Sequence, residues 1–231
     1  MFINSYIVPK SKFEIQNDEL TGYVHEEFVG VGHKGVGMKL FSPDSCPYGV
    51  SYSEWTARWW QWILSIPVQV NPSRDTTGKY SDINQNGPVW FLASTTGGVA
   101  HRTYKIPSGF AILVPILNHG GTLADEPTIR NVEELALFAR KEMDVISDLE
   151  VTIDNSPVKE LQKYRVQSPV FDVILPDNNL FNGIPGPTRG AADGYWLFIE
   201  PPPSGMHSIR SFGSCLAGKI KIGLVCEIQI M

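Results

Sequence analysis

G-K-I-K-I-G-L-V-C-E-I-Q-I-M, residues 218–231, alternates apolar and polar side chains from Ile220 to Ile230. Successive side chains of an extended chain point to opposite faces, so a period of two marks a strand with one face buried and the other wet. Ile220, Ile222, Leu224, Cys226, Ile228 and Ile230 form the inward row. A helix would scatter these residues around its circumference. The segment is therefore a strand, and the fold it closes is built on sheets.

Further strand-like segments lie upstream. Y-W-L-F-I-E (195–200), the turn P-P-P-S-G and M-H-S-I-R-S-F (206–212) read as a hairpin. Y-R-V-Q-S-P-V-F-D-V-I-L-P (164–176) reads as two short strands broken at Pro169, and L-E-V-T-I-D-N-S-P-V (149–158) as strand, turn, strand. G-P-V-W-F-L-A-S (87–94), H-R-T-Y-K-I-P (101–107) and F-A-I-L-V-P-I-L (110–117) are three more, the last two predicted to pair about Pro107-Ser108-Gly109. N-H-G-G-T-L-A-D-E-P (118–127) and the Asn-, Gly- and Pro-rich stretch 176–192 read as loops; loops this long often border sites.

Two helices are legible. S-Y-S-E (51–54) is a capping box, and the helix it opens runs to about Ser65, where Pro67 blocks continuation. N-V-E-E-L-A-L-F-A-R-K-E-M-D-V-I-S-D-L (131–149) has apolar residues near helical spacing, with Asn131 as N-cap and Glu134 three residues on. Short strands, turn signals and two helices predict a mainly β fold. It is a single β-sandwich or jelly-roll-like domain over residues 41–231, with two peripheral α-helices. Residues 1–40 read as an N-terminal appendage. Their G-V-G-H-K-G-V-G (30–37) contains G-x-G-x-x-G, but a strand-like segment ending at Pro43 follows where a dinucleotide site needs a helix, so a hairpin or loop is the better reading.

Four of the six tryptophans fall between Trp55 and Trp62. On a helical wheel Trp55, Trp59, Trp62, Ile63 and Ile66 share one stripe, while Glu54, Arg58, Gln61 and Ser65 form the polar strip. The stripe is first of all a core face. Trp60 and Leu64 fall outside both, so Trp60 is the indole that periodicity leaves free to line a cleft or a homodimer contact. A membrane-surface helix is disfavoured, because its polar face would carry several Lys or Arg and here has one arginine offset by Glu54.

The chain has 231 residues, 42% hydrophobic and 19% charged, with net charge −5 and pI about 5.5. The acidic balance and the lack of a Lys/Arg run argue against nucleic acid as a partner. The start, M-F-I-N-S-Y-I-V-P-K, lacks the features of a signal peptide, and no apolar run reaches membrane-spanning length. Cys46, Cys215 and Cys226 are an odd number without metal-ligand spacing. These features predict a cytoplasmic protein.

Ordered blocks carry a resemblance. S-x-x-E-W-T-A-R-W-W-Q-W (51–62), G-P-V-W-F-L-A (87–93), I-P-S-G-F-A-I-L-V-P-I-L-N (106–118), Y-R-V-Q-S-P-V-F (164–171), D-G-Y-W (193–196) and P-S-G-M-H-S-I (203–209) resemble a family of uncharacterised, mostly secreted microbial proteins. The resemblance covers about residues 48–231 and implies no activity. It does imply that secreted relatives carry cysteines where Ser81 and Tyr104 stand here. The loss of that pair fits a cytoplasmic form whose residues 1–40 replace an exported leader.

Candidate chemistry centres on three histidines. If 101–107 and 110–118 pair, His101 and His119 meet at the open end of the hairpin, with Arg102 beside and Asp125 and Glu126 following; His207 opens another strand. Imidazole with a carboxylate is the equipment of general acid/base catalysis, and the set His119, His101, Asp125 and Arg102 is the candidate catalytic group. The expectation is a small-molecule enzyme without a cofactor, a lyase, isomerase or hydrolase, working in an aromatic-walled pocket. Zinc or iron held through the histidines is the metal alternative. A non-catalytic carbohydrate- or ligand-binding module is the other, with Trp60, Trp90, Trp196 and His207 as ligand contacts. An assembly protein with an aromatic interface is a third. Nucleophilic catalysis lacks a G-x-S-x-G elbow or a cysteine with a nearby base.

Overall fold

The computed structural model describes residues 38–215 and 220–231. The Gly-rich stretch 30–37 lies outside the described residues.

The fold is mainly β, with ten strands in two mixed five-stranded sheets and two α-helices among the described residues. In chain order these are α1 (Tyr52–Leu64), β1 (Val89–Phe91), β2 (Gly98–Ile106), β3 (Ala111–Thr122), α2 (Val132–Asp144), β4 (Ile146–Ile153), β5 (Ser156–Pro157), β6 (Arg165–Gln167), β7 (Phe171–Leu175), β8 (Gly186–Ile199), β9 (Gly205–Cys215) and β10 (Ile220–Ile230). Sheet A runs β1-β3-β8-β6, with β7 also on β8; sheet B runs β2-β10-β9-β4-β5.

Both hairpins read from the sequence are corrected. β2 lies in sheet B, parallel to β10, while β3 lies in sheet A between β1 and β8. β8 and β9 likewise belong to different sheets. The turns after Ile106 and Ile199 therefore carry the chain across the sandwich rather than back along one sheet. The physical reason lies in burial. Sheet A is covered on both faces, so its strands read as unbroken apolar runs, and a run of that kind does not reveal its partner. Along β8, Tyr195, Leu197 and Ile199 face sheet B, whereas Trp196 and Phe198 face α1. Along β3, Ile112 and Val114 face sheet B, and Leu113 faces α1. Sheet B has one open face and alternates: Leu224, Cys226, Ile228 and Ile230 are buried, Glu227 and Gln229 exposed.

The layers are thus α1, sheet A and sheet B. Ser51 caps α1, its hydroxyl accepting from Glu54 N–H at 3.2 Å. The Glu54 carboxylate turns instead toward Arg58, 3.7 Å away. Tyr52, Trp55, Trp59, Trp60, Trp62 and Leu64 are all buried. Each fully buried indole removes on the order of 200 Å² from water, worth about 5 kcal/mol gross, so α1 is anchored by area alone. Asn131 caps α2 by accepting from Glu134 N–H at 2.9 Å. That helix ends at Asp144, not near 149, because β-branched Val145 and Ile146 pass into β4.

Two predicted loops are strand. β3 continues through Gly120 and Gly121, and β8 begins at Gly186. These glycines give way to packed neighbours: a Cβ on Gly120 would stand 2.8 Å from the Trp60 ring, one on Gly190 2.5 Å from the Phe171 ring, and one on Gly194 2.3 Å from Asn118 Cβ. Glycine here marks close approach within a strand rather than a turn.

Sheet edges are closed by side chains and by loop backbone. The Gln85 amide clamps β1, accepting from Phe91 N–H and donating to Phe91 C=O, both at 2.9 Å. Gln61 Nε2 donates to the Asp172 carbonyl on β7 at 2.9 Å. Thr103 N–H of β2 donates to Thr77 C=O at 3.1 Å. Pairing of these edges with other chains is thereby blunted.

Candidate functional site

The four candidate catalytic residues divide into three places. His101 is exposed on sheet B, opposite Val225. Arg102 is buried between the sheets, and its guanidinium is spent on carbonyls: Nε donates to Asp75 at 2.7 Å and the two terminal nitrogens donate to Ala93 and Ser94. It ties the 71–82 segment to the end of β1. Asp75 is itself a turn anchor. Burial would raise its carboxyl, but hydrogen bonds from Tyr80 and Thr77, with the Arg102 charge, outweigh that and hold it below the usual range.

His119 and Asp125 both belong to the end of β3, His119 within the strand beneath α2 and Asp125 in the turn that follows it. His119 stands opposite Asp193 in the β3–β8 register, its ring edge-on to Phe138 of α2 with centroids 5.1 Å apart. Asp125 Oδ2 lies 3.3 Å from where a Cβ on Gly121 would stand, and its other oxygen accepts from the Thr122 hydroxyl at 2.6 Å. Beside them Arg165 binds both oxygens of buried Asp193, at 3.2 and 3.0 Å, and reaches Asp144 at 2.7 Å and the Arg140 carbonyl at 2.9 Å. The hydrogen bond to Asp193 above all, with that to Asp144, raises the Arg165 guanidinium further. This clamp places a cation at the C-terminus of α2, where the unpaired carbonyls favour one.

The candidate ligand contacts are inside. Trp60, Trp90 and Trp196 are 5%, 6% and 0% exposed, and the indole N–H of each lacks an acceptor among the described residues. Trp60 turns inward over Gly120, its flank covered by the 176–185 loop through Phe181. The stripe indoles by contrast all donate, Trp55 to Pro47, Trp59 to Leu92 and Trp62 to Ile83. His207 bridges Asp154 at 2.8 Å and the Pro203 carbonyl at 2.9 Å, joining the β4–β5 turn to the β8–β9 crossing.

A broad cleft lies elsewhere. It measures about 1070 Å³ and runs along the outer flank of α1. The helix contributes Trp55, Arg58, Gln61, Trp62 and Ser65; the 84–88 loop contributes Asn84, Asn86 and Pro88; β7 and the start of β8 contribute Asp172, Ile174, Pro187, Thr188 and Arg189. The floor is apolar, from the edges of Trp62 and Phe91 with Val173 and Ile174, the last 70% exposed. Arg58 lies over the Trp55 ring, 4.8 Å from its centroid. The polar strip of α1 was legible in the sequence, but its meeting with the 84–88 loop and β7 is a long-range contact that no local pattern encodes.

Among the described residues no group of three or more His, Cys, Asp or Glu side chains is placed to hold a metal ion. Cys226 is a free thiol between the sheets, opposite Ile209, and burial pushes it up to about 12. It is therefore protonated at neutral pH and a poor nucleophile. Ser81 and Tyr104 line one small hollow together with Arg102. Among the described residues no helix is long and apolar enough to cross a membrane. No family model, curated protein or solved structure matches the chain.

Proposed function

We propose that this chain is a non-catalytic binding module for a small, largely apolar ligand, held in the cleft beside α1. The observation that carries this reading is the cleft itself, an apolar floor rimmed by guanidinium, amide and hydroxyl groups. Ligand sites share that composition: apolar area supplies the affinity and a few polar groups fix the orientation. The volume, about 1070 Å³, lies just above the range for drug-sized ligands, roughly 300–1,000 Å³. The candidate acid/base residues lie away from this cleft, which favours binding over turnover. The cytoplasm suits such a module, since Cys226 is a free thiol.

A catalytic reading draws on one observation, that His119 and Asp193 face each other beneath α2. It would be favoured by a turnover that His119→Ala abolishes while ligand binding persists.

Ligand-observed NMR with a fragment panel tests the binding reading. Apolar fragments are expected to bind the wild-type chain and to lose binding in Thr188→Trp, which fills the cleft from β8. Fragments that bind both proteins equally would place the ligand elsewhere and overturn it.

A further inference from the structure

We propose that the ligand of this cleft carries an oxyanion, a carboxylate or phosphate, on its apolar body, and that Arg58 and Arg189 receive it. The inference rests on the binding reading above.

Both guanidiniums line the cleft, and neither donates a hydrogen bond among the described residues. Their carboxylate neighbours are loose: Arg58 Nε is 3.7 Å from Glu54 and Arg189 Nε is 3.8 Å from Asp172, both beyond hydrogen-bonding length. Arg102 and Arg165 offer the contrast within the same molecule, since both are fully engaged at 2.7–3.3 Å by carbonyls or carboxylates. An exposed pair of the looser kind contributes little to stability, so an incoming oxyanion exchanges it at little cost. Arg58 is also oriented in advance, because its guanidinium rests on the Trp55 ring. A planar fork with unspent N–H donors is matched to the paired oxygens of a carboxylate or phosphate.

The cleft favours this over a neutral sugar. Sugars bind by laying their C–H face on an open aromatic face. Here the Trp55 face is taken by Arg58, while Trp62 and Phe91 are 6% and 7% exposed. An apolar body on the Trp62–Ile174 floor with a charged group at the arginine rim uses both halves of the lining.

The test titrates the full chain, labelled with ¹⁵N, with phenylacetate, phenyl phosphate, 2-phenylethanol and methyl glucoside. The two anions are expected to bind, with affinity falling about tenfold in Arg58→Gln and in Arg189→Gln and falling with added salt. The alcohol is expected to bind more weakly and to be indifferent to both substitutions. Preference between phenylacetate and phenyl phosphate identifies the carboxylate or phosphate source. If the alcohol or the glucoside binds as tightly as the anions, or the substitutions leave anion binding unchanged, the oxyanion inference fails while the cleft reading survives. If no probe moves a cleft resonance, both fail. Arg58 and Arg189 are about half exposed, and unchanged spectra away from the cleft would confirm that each variant folds.

Discussion

Arg165→Met separates a buried functional-looking cluster from the clamp that holds it. In the wild type Asp193 is 3% exposed and both of its oxygens receive hydrogen bonds from Arg165. Methionine keeps much of the side-chain volume but leaves the carboxylate buried and unpaired, and removes the cation from the end of α2. Breaking one partner of a buried pair typically costs about 3–5 kcal/mol. The Arg165 side chain is 25% exposed, so water reaches it from one side and the lower end, about 3 kcal/mol, applies. For a domain of this size that lowers Tm by roughly 6–12 °C. Thermal and urea unfolding followed by circular dichroism measure it. Arg165→Met/Asp193→Leu, which removes both charges, is expected to recover most of the loss. A cost below about 1 kcal/mol for the single substitution, or no recovery in the double, would refute the clamp as the tie between α2 and sheet A.

Two other outcomes follow from individual atoms. Trp59→Phe strands the buried Leu92 carbonyl, whereas Trp60→Phe removes an N–H that has no acceptor among the described residues, so urea unfolding should show Trp59→Phe to be the costlier by at least about 1 kcal/mol; equal costs would contradict the inward placement of Trp60 without a partner. Burial first, and then the Glu126 charge, raise the Glu142 carboxyl. The folded chain therefore holds that proton more tightly than the unfolded chain, a stabilisation fully present below the unfolded pKa and lost as pH rises through the folded one. Glu142→Gln should raise Tm near pH 7 and leave it unchanged near pH 3, and a drop at pH 7 would show that the charged form is wanted.

Local physics made part of this molecule legible. The caps at Ser51 and Asn131 were readable because capping depends on residues three apart, and β10 was readable because one of its faces is open. The two crossings between sheets were not, since sheet A is apolar on both faces and its strands carry no mark of their partners. Gly120, Gly190 and Gly194 resemble turn residues in sequence and are strand residues in the fold, because the Trp60 ring, the Phe171 ring and Asn118 occupy the space their side chains would take. The wheel of α1 separated Trp60 from the stripe correctly as an angle. It could not show that the 176–185 loop folds over that flank, or that the cleft would open beside Trp55 and Trp62 instead. His119 and Asp125 are near each other in the chain at the end of β3, and the hairpin that was to bring His101 to His119 does not form, because β2 and β3 belong to different sheets.

The most direct measurement is the indole region of the ¹⁵N–¹H spectrum during titration with phenylacetate. Trp55 and Trp62 line the cleft and their N–H groups donate to the Pro47 and Ile83 carbonyls, whereas Trp60, Trp90 and Trp196 are enclosed away from it. Binding in the cleft moves the Trp55 and Trp62 signals and leaves the other three in place. Movement of Trp60, Trp90 or Trp196 with Trp55 and Trp62 unchanged would contradict the account and return the site to the interior indoles.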